Sequence, residues 1–174
     1  MSLYFFFDLD GTLFHTDELN NASYNYALKS VGIQQIEGET RITRDTIARR
    51  YPFISSANMQ HIVETKQDFF CRHAEEAVVN EPVATMLRHL GSRRCVLWTS
   101  SDEARARCLL RVHGFTDCFL RTLRSDKRDV QKSLSAACDC LSCERGEIVV
   151  VENDVRVAAA VNAFGAACFL FVSS

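Results

Sequence analysis

Five short, unbroken apolar runs set the strongest limit on what this chain can fold into. They are Leu3–Phe7, Cys95–Trp98, Cys118–Leu120, Ile148–Val151 and Ala167–Val172. An uninterrupted run of this length is the form taken by a strand covered on both faces, as in the interior of a parallel sheet. Helical patterns lie between most of them. Val130, Leu134, Ala137 and Leu141 step by four, three and four within 128–141; Val83, Met86, Leu87 and Leu90 make one face of 83–90; Val155–Ala163 is apolar nearly all round and expected to be buried. Alternating strands and helices predict an α/β fold, a Rossmann-like three-layer core around a mainly parallel sheet.

One interval breaks the alternation. About 85 residues without a strand signal separate the first run from Cys95, far more than one crossover helix needs. Within it Leu19–Val31, Arg44–Tyr51 and Met59–Val79 have helical character. In the last of these, Ile62, Val63, Phe69, Phe70, Ala74, Ala77 and Val78 keep to one broad stripe. Asn80-Glu81-Pro82 reads as a helix stop followed by a proline in the first turn of a new helix. The expected organisation is a core built from 1–15 and 82–174, with a small helical domain, 16–81, inserted after the first strand.

Composition narrows the function classes. Of 174 residues, 47% are hydrophobic and 24% charged, enough to bury a full core. Twenty basic against 22 acidic residues leave a net charge of −2, which gives no global attraction to nucleic acid or an anionic membrane. Seven Gly and two Pro exclude collagenous and linker-like chains, and eight Cys are too dilute for a disulfide scaffold. The N-terminus lacks the basic start of a signal peptide, and its apolar run Tyr4–Phe7 ends at Asp8. The most apolar stretch, Val157–Val172, is interrupted by Asn162 and Gly165 and falls short of the roughly 20 residues of a spanning helix. The expectation is a soluble, cytoplasmic protein with reduced thiols.

In an open parallel sheet, ligands bind beyond the carboxyl ends of the strands, so the residues that end each strand carry the chemistry. The first strand ends in Asp8-Leu9-Asp10-Gly11-Thr12 and the second in Thr99-Ser100-Ser101-Asp102. The third is followed by Ser125-Asp126-Lys127-Arg128, and the fourth ends in Glu152-Asn153-Asp154. Phe6-Phe7-Asp8-Leu9-Asp10-Gly11-Thr12-Leu13-Phe14 resembles the first signature of the haloacid dehalogenase superfamily of phosphohydrolases. Val96-Leu97-Trp98-Thr99-Ser100 resembles its second motif. Lys127, with Ala136 and Ala137 following, resembles the third, and Val149–Asp154, with Gly165 thirteen residues after Glu152, resembles the fourth. His15–Ile33 is similar to the opening and first cap helix of the phosphoglycolate phosphatase and β-phosphoglucomutase group.

The resemblance implies a Mg²⁺-dependent phosphatase acting on a small phosphorylated metabolite through an aspartyl-phosphate. A phosphomutase of the same fold, or a binding protein on a decayed hydrolase scaffold, are the alternatives. The residue chemistry agrees. Asp8, at the strand end, suits a carboxylate nucleophile, and Asp10 can protonate the leaving oxygen and then activate water. Gly11 permits a sharp turn. Thr99, or its competitor Ser100, offers a hydroxyl beside helix-start N–H groups to a phosphoryl oxygen, and Lys127 offsets negative charge. Mg²⁺ would be held by Asp8, the Asp10 carbonyl and a side chain among Glu152, Asn153 and Asp154, with water and phosphate completing its shell. A monomer or weak homodimer is expected, with neither nucleic acid nor membrane as partner.

Departures from the pattern are as informative. Many relatives carry Asp in the second position of the fourth motif, where this chain has Asn153, a neutral oxygen ligand. His15 stands where relatives often have Asp and is expected to be a surface or hinge histidine. The chain given ends at Ser174, directly after the fifth strand, whereas many relatives continue with another loop and helix. Cys138, Cys140 and Cys143 end a helix, and no fourth zinc ligand is close in sequence. Arg105, Arg107, Arg111, Arg121, Arg124, Lys127 and Arg128 lack the interleaved aromatics of a nucleic-acid groove and are expected to form a solvated face with some attraction for phosphate. Arg41 and Arg44, in the inserted segment, are weighed as anion contacts against an exposed helix start.

Overall fold

The computed structural model describes residues 3–171 of the chain, so Val172, the last residue of the fifth predicted strand, and Ser174 lie outside the described residues. The described chain divides into two compact units. One runs to His15 and resumes at Val79; the other is Thr16–Val78.

The first unit is a Rossmann-like α/β core. Strands β1 (Tyr4–Phe7), β4 (Cys95–Thr99), β5 (Arg121–Arg124), β6 (Ile148–Glu152) and β7 (Ala167–Leu170) form one sheet in the order β5-β4-β1-β6-β7. Every neighbouring pair is parallel, and Phe7 lies level with Leu97 on one side and Val151 on the other. The strand order reverses at β1, because the chain builds outward through β4 and β5 and then returns to the far side of β1 as β6. That places the switch point, where ligands of such sheets bind, at the carboxyl end of β1.

Burial explains why the central strands read so clearly. Every residue of β4 and of β6 is buried. Phe6, Val96, Trp98, Ile148 and Val150 pack against Val130, Leu134 and Ala137 of α6 (Val130–Leu141) and Val161 and Phe164 of α7 (Val155–Phe164). On the strands' alternate side the Cys95 thiol reaches the Leu87 carbonyl of α4 (Glu81–Leu90) at 4.0 Å. Removing a large member of this core, as in Phe6→Ala, carries a cost of about 3–5 kcal/mol. α5 (Glu103–Val112) links β4 to the edge.

The edges differ from expectation. The third strand is Arg121–Arg124, not Cys118–Leu120, and Cys118 ends a short 3-10 turn. Three of the strand's four residues are exposed and three are polar, Arg121, Thr122 and Arg124, so no apolar run marks it, whereas the opposite edge, β7, is as exposed but keeps an apolar sequence. The apolar Phe119 packs instead edge-on to Phe7, 6.2 Å between ring centres. Val155 of α7 is 62% exposed although the whole segment was expected to be buried.

Two-residue strands, β2 (Phe14–His15) and β3 (Val78–Val79), lie within the interval expected to hold none. The second unit is helical: α1 (Asp17–Ser30), α2 (Arg44–Arg50) and α3 (Ser56–Arg72) enclose Tyr24, Ala27, Leu28, Ile36, Ile42, Ile47 and Ile62. The helix expected over 59–79 stops at Arg72; a 3-10 turn, Ala74–Glu76, follows, and Val78 is exposed. Ala74 and Ala77 are still buried, so the apolar stripe outlasts the helix that suggested it. α4 begins as expected, with Asn80 at its N-cap and Pro82 in its first turn.

Candidate active site

β1 delivers its last side chains to the switch point. Asp8 follows directly, its N–H bonded to the Val151 carbonyl at 3.0 Å, so the ladder to β6 holds its backbone. The chain then turns at Gly11, whose φ of 85° is in the left-handed region that glycine tolerates. Space enforces the same choice: a Cβ there would overlap the Asn153 amide, with its Cγ at 2.9 Å. Thr12 is fully buried and its hydroxyl donates to Asn153 Oδ1 at 3.2 Å.

Lys127 lies at the centre of the charge cluster. Its ammonium donates to Asp8 Oδ1 at 2.5 Å and to Glu152 Oε2 at 2.6 Å, and sits 4.5 Å from the centre of the Trp98 ring. Burial alone would lower the pKa of this ammonium, but the two carboxylates outweigh it and hold the pKa above its ordinary value. Burial pushes the Asp8 carboxyl up to about 6 against the opposing pull of Lys127, with Glu152 and Asp10 adding to the rise. Trp98 is fixed in turn by its indole N–H, which donates to Ser133 Oγ at 2.8 Å.

The residues at the end of β6 and just beyond it separate into three roles. Glu152 is buried, and its Oε1 accepts from the N–H groups of Asn153 (2.9 Å) and Asp154 (3.1 Å) while Oε2 takes Lys127. Its oxygens thus serve the turn and the lysine. Asp154 caps α7, accepting from the N–H groups of Arg156 (2.8 Å) and Val157 (3.4 Å), and its hydrogen bond to the Arg156 side chain leads the causes that hold its carboxyl below the usual range. Asn153 remains over the Asp8–Thr12 loop. Among the described residues no group of three or more His, Cys, Asp or Glu side chains gathers into a cation site. Asn153 Oδ1 lies against the Asp8–Thr12 loop, and carboxylate, amide and carbonyl oxygens such as this stretch offers suit a hard, water-retaining cation rather than zinc.

At the end of β4, Thr99 is buried and its hydroxyl accepts the Ser101 N–H at 3.0 Å, whereas Ser100, just beyond, is exposed. Ser101 and Arg105, neither weighed in the sequence as site residues, both contact Asp10. The Ser101 hydroxyl donates to Asp10 Oδ2, and Arg105 Nη2 donates to Oδ1 at 2.5 Å. Arg105 is 3% exposed, which corrects its place in the solvated basic face; Lys127 is drawn inward as well, while Arg128 stays exposed. The reason is helical phase. Arg105, Ala106, Leu109 and Leu110 form the buried stripe of α5, and a charge in such a stripe persists only when paired. The Arg105-to-Leu109 spacing was the signal available in the sequence.

Other singled-out residues lie elsewhere. His15 is exposed. Arg41 pairs with Asp17 within the helical unit, and Arg44 is exposed at the start of α2. Cys140 is exposed and contacts Arg121, while Cys138 and Cys143 hydrogen-bond to one another, their thiols pushed up mainly by burial. Ser100 and Lys127 also wall a cavity of about 690 Å³ between the starts of α6 and α7, within the size range of small-molecule sites.

No family model matches the chain, and no curated protein matches it. Solved structures do. CbbY from Rhodobacter sphaeroides in complex with phosphate superposes with a TM-score of 0.81 at 18% identity, covering 100% of this chain and 88% of that one. A mutant of the same protein in complex with xylulose-(1,5)bisphosphate gives 0.81 at 16% identity over the same shares. A HAD-superfamily hydrolase of subfamily IA from Geobacter sulfurreducens gives 0.73 at 16% identity, covering 97% of this chain and 86% of that one.

Proposed function

From a chain that has the fold of the haloacid dehalogenase hydrolases, we propose a phosphatase that hydrolyses a small phosphomonoester through an aspartyl-phosphate on Asp8. One observation carries this reading: the buried Asp8 carboxylate ends the central strand against Lys127, with Asp10 two residues on. An Asp8 oxygen attacks phosphorus, the bond from phosphorus to the ester oxygen breaks, and Asp10 gives its proton to the departing alkoxide. Water then attacks the phosphorus of the acyl phosphate and yields a proton to Asp10. The phosphorus–Asp8 bond breaks, restoring the carboxylate and releasing phosphate. Lys127 holds the nucleophile in place and offsets charge on the phosphoryl oxygens, helped by N–H groups at the start of α5.

Asp8, the Asp10 carbonyl and Asn153 Oδ1 would hold Mg²⁺, with Thr12 orienting the Asn153 amide. When bound, the ion supplies charge neutralisation at the phosphoryl group. The residues of 16–78 act as a cap in this reading and set which ester is accepted.

A panel of small phosphate esters with Mg²⁺ tests the proposal, with Asp8→Asn as control. Phosphate release by the wild type and none by a folded Asp8→Asn is the expected result. Release that survives Asp8→Asn would remove Asp8 from the mechanism, and an isomerised sugar phosphate would select a mutase. A phosphate-binding protein without turnover is the second reading, favoured by Asn153 in place of a carboxylate. Phosphate binding with no release from any ester selects it.

A further inference from the structure

Among the described residues, Arg105 is a buried cation of the α/β unit to which the mechanism above gives no task. Arg105 lies in the first turn of α5, almost wholly buried, and its guanidinium donates to Asp10 Oδ1 at 2.5 Å. The Ser101 hydroxyl donates to the other oxygen of the same carboxylate. Burying a guanidinium is costly unless it is paired and hydrogen-bonded, so its place beside the one carboxylate assigned to proton transfer calls for a reason. We propose that Arg105 is a positioning residue, which together with Ser101 holds the Asp10 carboxylate in the orientation from which the proton passes to the leaving oxygen. The inference rests on the phosphatase reading.

The geometry supports this beyond the contact itself. Asp10 follows a strand end, in a loop that turns at a glycine, where an unsupported side chain has a choice of rotamers. Its two anchors come from a different, stiffer source. Ser101 is tied back to β4 through its N–H on the Thr99 hydroxyl. α5 is capped by Asp102, whose Oδ1 accepts the Ala104 N–H at 2.9 Å. Arg105 is therefore rooted in the same β4–α5 junction that carries Thr99, so the acid and the phosphate-facing hydroxyl are set by one rigid element. A carboxylate offers about four lone-pair directions; contacts at both oxygens fix its plane while its kind can still accept more. Displacement of such a group by about 1 Å can cost as much as 10²-fold in rate.

The test is a double-mutant cycle in the full chain. Two probes are used: glycerol phosphate, whose alkoxide leaving group needs a proton, and p-nitrophenyl phosphate, whose leaving group does not, read by first-turnover release of p-nitrophenolate. Arg105→Gln should lower kcat on the alkyl ester at least ~10-fold, with KM little changed, and affect first-turnover release from the aryl ester much less. In an Asp10→Asn background the same substitution should have no further effect. Arg105→Lys should recover part of the loss, and Ser101→Ala should show the same pattern more weakly; Ser101→Ala replaces Arg105→Gln in the cycle should the latter not fold. Equal losses on both esters, an undiminished loss in the Asp10→Asn background, or unchanged or faster turnover would each overturn the assignment. A wild type that releases phosphate from no ester is a different result: it removes the phosphatase reading itself, and the inference with it.

Discussion

At the scale of single residues, the fold treats its carboxylates unequally, and that inequality is measurable. Asp8 is buried against Lys127 and titrates up to about 6, Glu152 is spent on the turn and the lysine, and Asp154 is drawn down in pKa by Arg156. The sign for Asp8 follows from its neighbours. Desolvation raises its pKa and the ammonium lowers it, so removing the ammonium should raise it further. In metal-free protein, ¹³C-carboxyl NMR should find Asp8 titrating near 6, and Lys127→Gln should move that midpoint upward. A midpoint that falls or stays put in the variant would mean that Lys127 does not face Asp8 in solution. Because the folded carboxyl binds its proton more tightly than an unfolded one at 3.8, this group alone favours folding more as pH falls through about 6 and stops adding once both states are protonated.

At the scale of elements, the start of α7 separates three residues that the sequence left undivided. Glu152, Asn153 and Asp154 are consecutive and all oxygen-bearing, so spacing alone gave no way to rank them as cation ligands. The helix decides: Asp154 Oδ1 is committed to the Arg156 and Val157 N–H groups, and Asn153 is left over the Asp8–Thr12 loop. Asp154→Ala should therefore cost about 1 kcal/mol of stability, the usual value of an N-cap, and leave the Mg²⁺ dependence of activity unaltered. Asn153→Asp should instead tighten Mg²⁺ binding, read by calorimetry without substrate, because it adds a carboxylate to a set short of them. The reverse pattern in the two variants would assign the ion to Asp154. The same contrast explains what was legible elsewhere. β1, β4 and β6 lie inside the sheet and stand out as apolar runs, and the edge strand β7 keeps one as well, whereas β5, with Arg121, Thr122 and Arg124 among its four residues, has no such mark. Arg105 escaped for a related reason: composition reads an arginine as solvated, and only the phase of α5 shows that it points inward.

At the scale of the whole molecule, the described chain divides into two compact units. The first contains the core around Phe6, Val96 and Trp98, and the second the cluster around Tyr24, Ile47 and Ile62. Ile62→Ala, in the second cluster, should cost about 2–5 kcal/mol locally and leave the Asp8–Lys127 pair as it is, which the carboxyl titration above would read. The parallel sheet was accessible from the sequence because its central strands are apolar runs with motif residues at their ends; its strand order and the break at Val78 were not, the latter because helical periodicity runs on past the end of α3. Trp98 is the chain's single tryptophan, wholly buried in the first unit beneath the Lys127 ammonium. The protein therefore carries one indole, which can be excited selectively over its four tyrosines, and it lies in only one of the two units. Its emission should shift when the sheet unit opens and stay silent when the helices of Thr16–Val78 melt, while far-ultraviolet circular dichroism registers both. If the two units unfold separately, the two optical curves will not coincide in denaturant; if they superimpose, the chain behaves as a single cooperative block.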